Sequence, residues 1–159
     1  MDCSTKRVWR LIAWTSSIVG MSQWTRLEAD RAFTAASRAR RRAALLGRMR
    51  RPGRTMCGLP VYDQAVQRCC GPHGVTEIPL EEIAGTTEPN RAAQFDQHFR
   101  PKPMTRGRWQ RVWLAVQQDV SLPPISVVRV GDAYAIRDGH HRVSVAKARG
   151  ALTITALVG

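Results

Sequence analysis

The stretch "YAIRDGHHRVSVAKARGA", residues 134–151, sets Asp138, Gly139, His140, His141 and Arg142 in a row, between residues of strand character and a run that turns apolar every third or fourth position. A strand ending at Arg137, a turn at Asp138-Gly139 and a helix beginning near His140 would gather free backbone N–H groups and the positive end of the helix dipole at one point. That is the chemistry of an anion site. Arg142 would fall in the first helical turn, where a cation is unfavourable unless an anion lies close by, and this conflict points to a bound phosphate. Gly139 would let ligand oxygens approach the backbone, and Asp138 is placed to cap the helix or to orient a histidine. Consecutive helical residues diverge by about 100°, so His140 and His141 are expected to divide their roles, one facing the ligand and the other packing or capping. A polar turn without a ligand remains the competing reading of the same five residues.

Other chemistries fit less well. His73, His98 and the cysteines show no spacing that would complete a tetrahedral zinc site around the histidine pair, so no metal ligands are assigned. Ser144 would sit on the body of a helix and not on the strand-turn-helix elbow of a Ser-His-Asp hydrolase. Cys3, Cys57, Cys69 and Cys70 match neither a C-x-x-C pair nor a familiar disulfide framework, and free thiols in a reducing, cytoplasmic setting are expected.

The formal net charge of +13 is unevenly placed: residues 1–60 hold 13 Lys/Arg against 3 acids, whereas residues 61–159 hold 12 against 9. Within "SRARRRAALLGRMRRPGR", residues 37–54, lie Arg38, Arg40, Arg41, Arg42, Arg48, Arg50, Arg51 and Arg54 with no acid among them. Such a segment attracts nucleic acid or anionic lipid headgroups, without base specificity. Near the N-terminus "KRVWRLIAWTSSIVG" has the outline of a signal peptide, but Arg10 interrupts its apolar run and no small-x-small cleavage site follows. With Met21 as a second possible start, these residues are expected to be a loosely ordered extension. No apolar run approaches the roughly twenty residues of a membrane span.

The elements that must position the box read as follows. Residues 25–49, rich in Ala, Arg, Leu and Glu, favour a helix, and its broken apolar stripe suggests a basic helix lying on a surface and not a core element. Residues 59–74 read as a short linker helix closed by Gly71-Pro72. "VTEIPLEEIAGT" reads as one short strand with Ile78 and Leu80 on a common face and Pro79 at an edge or strand end. A polar loop and short helix lead to Pro101 and Pro103. A helix follows with Trp109, Val112, Trp113 and Val116 on one buried face, core packing being preferred over base stacking for the tryptophans. "ISVVRVGDAYAIRDG" is a β-hairpin around Gly131-Asp132, and then come the helix from His140, stopped by Gly150, and a closing strand. The fold class is therefore α+β, a small mixed sheet with helices. Residues 1–58 form a basic, partly helical arm, 59–74 a linker helix and 75–159 the compact domain.

On "PPISVVRVGDAYAIRDGHHRVSVAKARGALTITALV", and on "VTEIPLEEIAGT" upstream, the chain resembles the ParB N-terminal-like, or ParB/sulfiredoxin, superfamily over residues 75–158. The shared pattern is Gly-x-Tyr-x-apolar-x-Asp-Gly-x-His/Arg-Arg followed by an Ala-rich helix and Gly. The resemblance implies a nucleotide site at Asp138, Gly139, His140, His141 and Arg142, taking CTP, ATP or ADP with Mg²⁺. Partition ParB proteins carry Glu-Arg-Arg in the box and a separate DNA-reading domain, so a centromere-binding role is not expected of a chain that closes at Gly159. Sulfiredoxins place a catalytic cysteine where His140 stands, so sulfinic acid reduction is not expected either. Free-serine kinases have a box more like DGHHR and an upstream glutamate base, for which Glu88 is the candidate. The expectation is a ParB-like nucleotide-binding protein, DNA-associated through the arm. The alternatives are a small-molecule kinase or phosphotransferase and a non-catalytic nucleic-acid interaction module, and the oligomeric state stays open.

Overall fold

The computed structural model describes residues 5–50, 58–63 and 74–159, with α1 side chains described over residues 23–49. The elements are α1 (Thr5–Arg50), β1 (Gly74–Pro79), a 3-10 turn (Leu80–Glu82), β2 (Ile83–Thr86), α2 (Pro89–Ala92), a second 3-10 turn (Pro103–Thr105), α3 (Arg106–Gln117), β3 (Ile125–Val130), β4 (Ala133–Asp138), α4 (His140–Ala148) and β5 (Thr153–Val158). The five strands make one mixed sheet in the order β1-β5-β3-β4-β2, and the α+β class expected from the sequence is the class found.

The apolar run of β3 fits its central place, since Val127 and Val128 are both fully buried although they point to opposite faces. β3 and β4 form the expected hairpin, Val130 pairing Ala133. Of the two turn residues only Gly131 has a positive φ, +61°. That is the mark of a II′ turn, which accounts for the Gly-Asp order. Gly150, at φ +74°, ends α4 as expected: its N–H bonds Lys147 O and that of Ala151 bonds Ala146 O, the paired bonds of a Schellman stop.

"VTEIPLEEIAGT" is not one strand. The turn at Leu80–Glu82 divides it into β1 and β2, which lie at opposite edges of the sheet. β1 runs antiparallel to β5 from Gly74–Val158 to Pro79–Thr153, and β2 runs parallel to β4. Pro79, as the last residue of an edge strand, withholds no ladder donor that a neighbour needs.

The helix expected over 59–74 is also corrected at its start. Residues 58–63 are extended: Tyr62 N–H donates to Thr86 O, and Thr86 N–H to Pro60 O, each at 2.9 Å, while Leu59 is buried. The backbone N–H and C=O of Thr86, on the outer edge of β2, hold these residues in place of a helix. Residues 64–73 lie outside the described residues, as do Cys3, Cys57, Cys69, Cys70, His73, Arg51 and Arg54.

The reading of α1 as a surface helix outside the core is overturned too. Ala29 and Phe33 are buried, and Phe33 sets its ring edge against Trp109 at 5.5 Å in a cluster with Val145. Trp109 is fully buried, stacks on Trp113 at 5.3 Å and donates its Nε1–H to Ser144 Oγ, so the tryptophans are core. Polar contacts hold the same face of α1. Asp30 takes hydrogen bonds from Arg106 and Gln110, Glu28 one from Gln117, and Arg100 donates to Ala39 O. The Ala-rich stripe that looked too weak to bury works because small residues let α1 approach α3 closely, with one phenylalanine filling the gap. Among the described residues no helix is long and apolar enough to cross a membrane.

Candidate anion site

β4 delivers Asp138 to the sheet end and α4 starts two residues later, so the five residues of the box form the expected seam. Gly139 is the α4 N-cap with φ +103° and no side-chain capping bond. A Cβ there would stand 2.5 Å from Ile125 Cγ2. The glycine is thus demanded by backbone conformation and by the core below it, a reason different from ligand approach. Asp138 does not cap the helix either: its Oδ2 accepts from Arg142 Nη2 at 2.7 Å.

Arg142 has its remaining bonds inside the fold. Its Nη1 donates to Pro124 O at 2.9 Å and also to Pro123 O, and the side chain is 15% exposed. The cation in the first turn of α4 is therefore compensated by Asp138 and two carbonyls, and ties the segment before β3 to the start of α4.

The two histidines diverge in role. His140 Nε2 lies 2.6 Å from Thr86 Oγ1, which also donates to Ile136 O and receives the Glu88 N–H. The hydroxyl has one proton; given to Ile136 O, it leaves His140 to donate from Nε2. His140 is also stacked on Phe95, at 6.3 Å. His141 touches the same ring edge-on at 5.2 Å and is 7% exposed, yet its Nε2 is buried with no hydrogen-bond partner among the described residues.

That atom belongs to a residue lining a small cavity of about 50 Å³, together with Arg91, Arg108, Val112, Asp138, Gly139, His140 and Arg142. Arg91 comes from α2 and Arg108 from α3, and neither has an acidic partner within ion-pair range among the described residues. Their charges mark the histidines. Burial first, then Arg91 and Arg108 and against the pull of Asp138, lowers His140 to about 4. His141 is lowered to about 4 by burial, then Arg108 and Arg91, with His140 adding a little and Asp138 opposing. Both rings are neutral at pH 7, and their surroundings are electropositive. An anion would relieve the repulsion between the two guanidinium groups and give His141 a partner once protonated.

Arg91 and Arg108 were not legible as site residues, because only the packing of α2 and α3 on the start of α4 brings them there. The available signal was Arg108 standing four residues before Val112, one position off the buried stripe of Trp109 and Trp113. Glu88 is half-buried at the α2 N-cap and does not line the cavity, but its N–H shares Thr86 Oγ1 with His140. Among the described residues no group of three or more His, Cys, Asp or Glu could hold a metal ion.

No protein-family model matches the chain, and no curated protein matches it. Among solved structures the chain is similar to sulfiredoxin from Arabidopsis thaliana, at 22% identity over 54% of this chain and 83% of that one, with a TM-score of 0.35. The chemistry of the site rests on this chain's own residues.

Proposed function

We propose that the chain is a nucleotide- or phosphate-binding domain whose cavity at the start of α4 receives a phosphate group. The observation that carries this reading is the orphaned His141 Nε2, buried beside Arg91 and Arg108 where, among the described residues, neither guanidinium has an acid to pair with. In this reading Arg91 and Arg108 bind the phosphate oxygens and His141 donates to one of them. Asp138 and Arg142 keep the wall of the cavity in place. Of the candidate ligands CTP, ATP and ADP, a triphosphate would be accompanied by Mg²⁺ to offset its charge, and Asp138, the carboxylate of the lining, would face that ion. A larger cavity of about 240 Å³, sharing Arg142 and lined by Leu122, Pro123, Ala151 and Ile154, offers apolar room for the rest of a nucleotide.

Calorimetric titration with CTP, ATP, ADP and inorganic phosphate, with and without Mg²⁺, tests this. Binding that weakens at least tenfold in Arg91→Ala and in Arg108→Ala is expected; absence of binding to all of them overturns the reading and leaves an interaction module. Arg142→Ala would not isolate the phosphate contact, because it would release the Pro123 and Pro124 carbonyls as well.

A second reading takes Glu88 as base in a phosphotransfer: its backbone N–H shares Thr86 Oγ1 with His140, which sets the residue beside the site, and its carboxylate would have to turn towards the cavity to act. Phosphate transfer that disappears in Glu88→Gln while nucleotide binding persists would establish it. The reading also includes a polyanion contact through the arginines of α1, with DNA as the partner that charge alone suggests.

A further inference from the structure

The exposed side of α1's C-terminal half does not suit a partner recognised by charge alone. At 100° per residue, Arg38, Arg41, Arg42, Leu45, Leu46, Arg48 and Met49 share an arc of about 160°, opposite Ala29, Phe33 and Ala36, which face the domain. Leu45, Leu46 and Met49 are 60%, 54% and 81% exposed, and the four arginines around them are exposed as well. No acidic residue occurs between residues 31 and 60 to neutralise them. The acids just upstream, Glu28 and Asp30, already accept bonds from Gln117, Arg106 and Gln110.

We propose that this face lies on an anionic lipid surface, its arginines on headgroup phosphates and Leu45, Leu46 and Met49 in the boundary with the acyl chains. A DNA backbone would satisfy the guanidinium groups but leave two leucines and a methionine in water. A headgroup layer takes both kinds of side chain from the same arc, the arginine stems lying along the apolar surface. The helix lies on the bilayer and does not enter it, since no described helix is apolar enough to span. The proposal rests on the reading that α1 meets a polyanion and specifies which one; it does not involve the cavity at α4.

The test is co-sedimentation of the full chain with vesicles of phosphatidylcholine alone and of phosphatidylcholine mixed with phosphatidylglycerol, alongside a duplex DNA mobility shift. Two variants are compared, Leu45→Ser/Leu46→Ser/Met49→Ser and Arg41→Gln/Arg42→Gln/Arg48→Gln. All six positions are exposed, so an unchanged far-ultraviolet dichroism spectrum is expected of both. Binding should require the anionic lipid and weaken about tenfold or more in each variant, while any DNA shift is lost only in the arginine variant. Vesicle binding that survives loss of the three apolar residues overturns the proposal. So does a DNA shift with no vesicle binding, which would leave the polyanion reading intact with DNA as its partner. Loss of nucleotide binding in the α4 cavity would not touch either result.

Discussion

Arginines gather at two places in this molecule, and the two could hardly be used more differently. At the start of α4, Arg91 and Arg108 wall a cavity of about 50 Å³ in which His140 and His141 are buried and Asp138 is exposed. On α1, Arg38, Arg41, Arg42 and Arg48 stand on a convex, open face. In the cavity the walls limit what fits, and the side where the buried histidines lie screens charge less than water does. On the open helix water and salt screen it, and the partner is selected by area and sign. Burial decides which cluster can discriminate between ligands.

Acid should separate the two regions most. His140 and His141 sit at about 4 in the folded chain against an ordinary value of 6.5. Between those values the unfolded chain binds more protons, so stability is fully present above about pH 6.5 and falls as pH drops towards 4. The loss is of the order of 3 kcal/mol per histidine. Thermal unfolding followed from pH 7 to pH 4 checks this, and phosphate in the buffer should make the loss smaller, because favouring the protonated rings raises their pKa in the folded chain. A midpoint indifferent to pH over that range would mean that the cavity does not hold the histidines neutral.

Gly139→Ala comes next, at roughly 2–3 kcal/mol, because the new Cβ meets Ile125 and the backbone stays at φ +103°. Denaturant unfolding measures it. Arg91→Ala should weaken phosphate binding by about 1.5–3 kcal/mol, and raise the pKa of both histidines by removing a neighbouring positive charge, which a ring-proton NMR titration reads directly. The smallest effect on the fold belongs to α1: Arg42→Gln should change stability by less than about 0.5 kcal/mol. Raising salt should weaken polyanion binding by α1 steeply and cavity binding much less. Equal salt sensitivity of the two would erase the distinction.

Local pattern carried much of this fold. The β3–β4 hairpin, the aromatic stripe of α3, α4 with its Gly150 stop and β5 each announce themselves within a few residues. What pattern missed was decided at a distance. Nothing in "VTEIPLEEIAGT" says that its halves belong to opposite sheet edges, because that depends on β5 and β4 offering partners. The α1 stripe looked too broken to bury until Phe33 met Trp109. In the site, the seam was readable from turn and helix geometry, whereas both histidines line the cavity and pack on Phe95, and only their hydrogen bonding differs. The box arginine was readable only as a cation in an awkward place, and the structure answers that conflict from within, through Asp138, Pro123 and Pro124. Arg50 falls at the end of α1, where its side chain is outside the described residues.

The pairing of β1 with β5 also has a bearing on the order of assembly. Gly74 meets Val158 and Pro79 meets Thr153, so the first strand of the sheet finds its neighbour only in the last. During synthesis β1 must wait for this partner until β5 has been made, while the β3–β4 hairpin and α4 form from near neighbours. The slow step of folding should then be the arrival of β5, which closes one edge strand and supports the central one together.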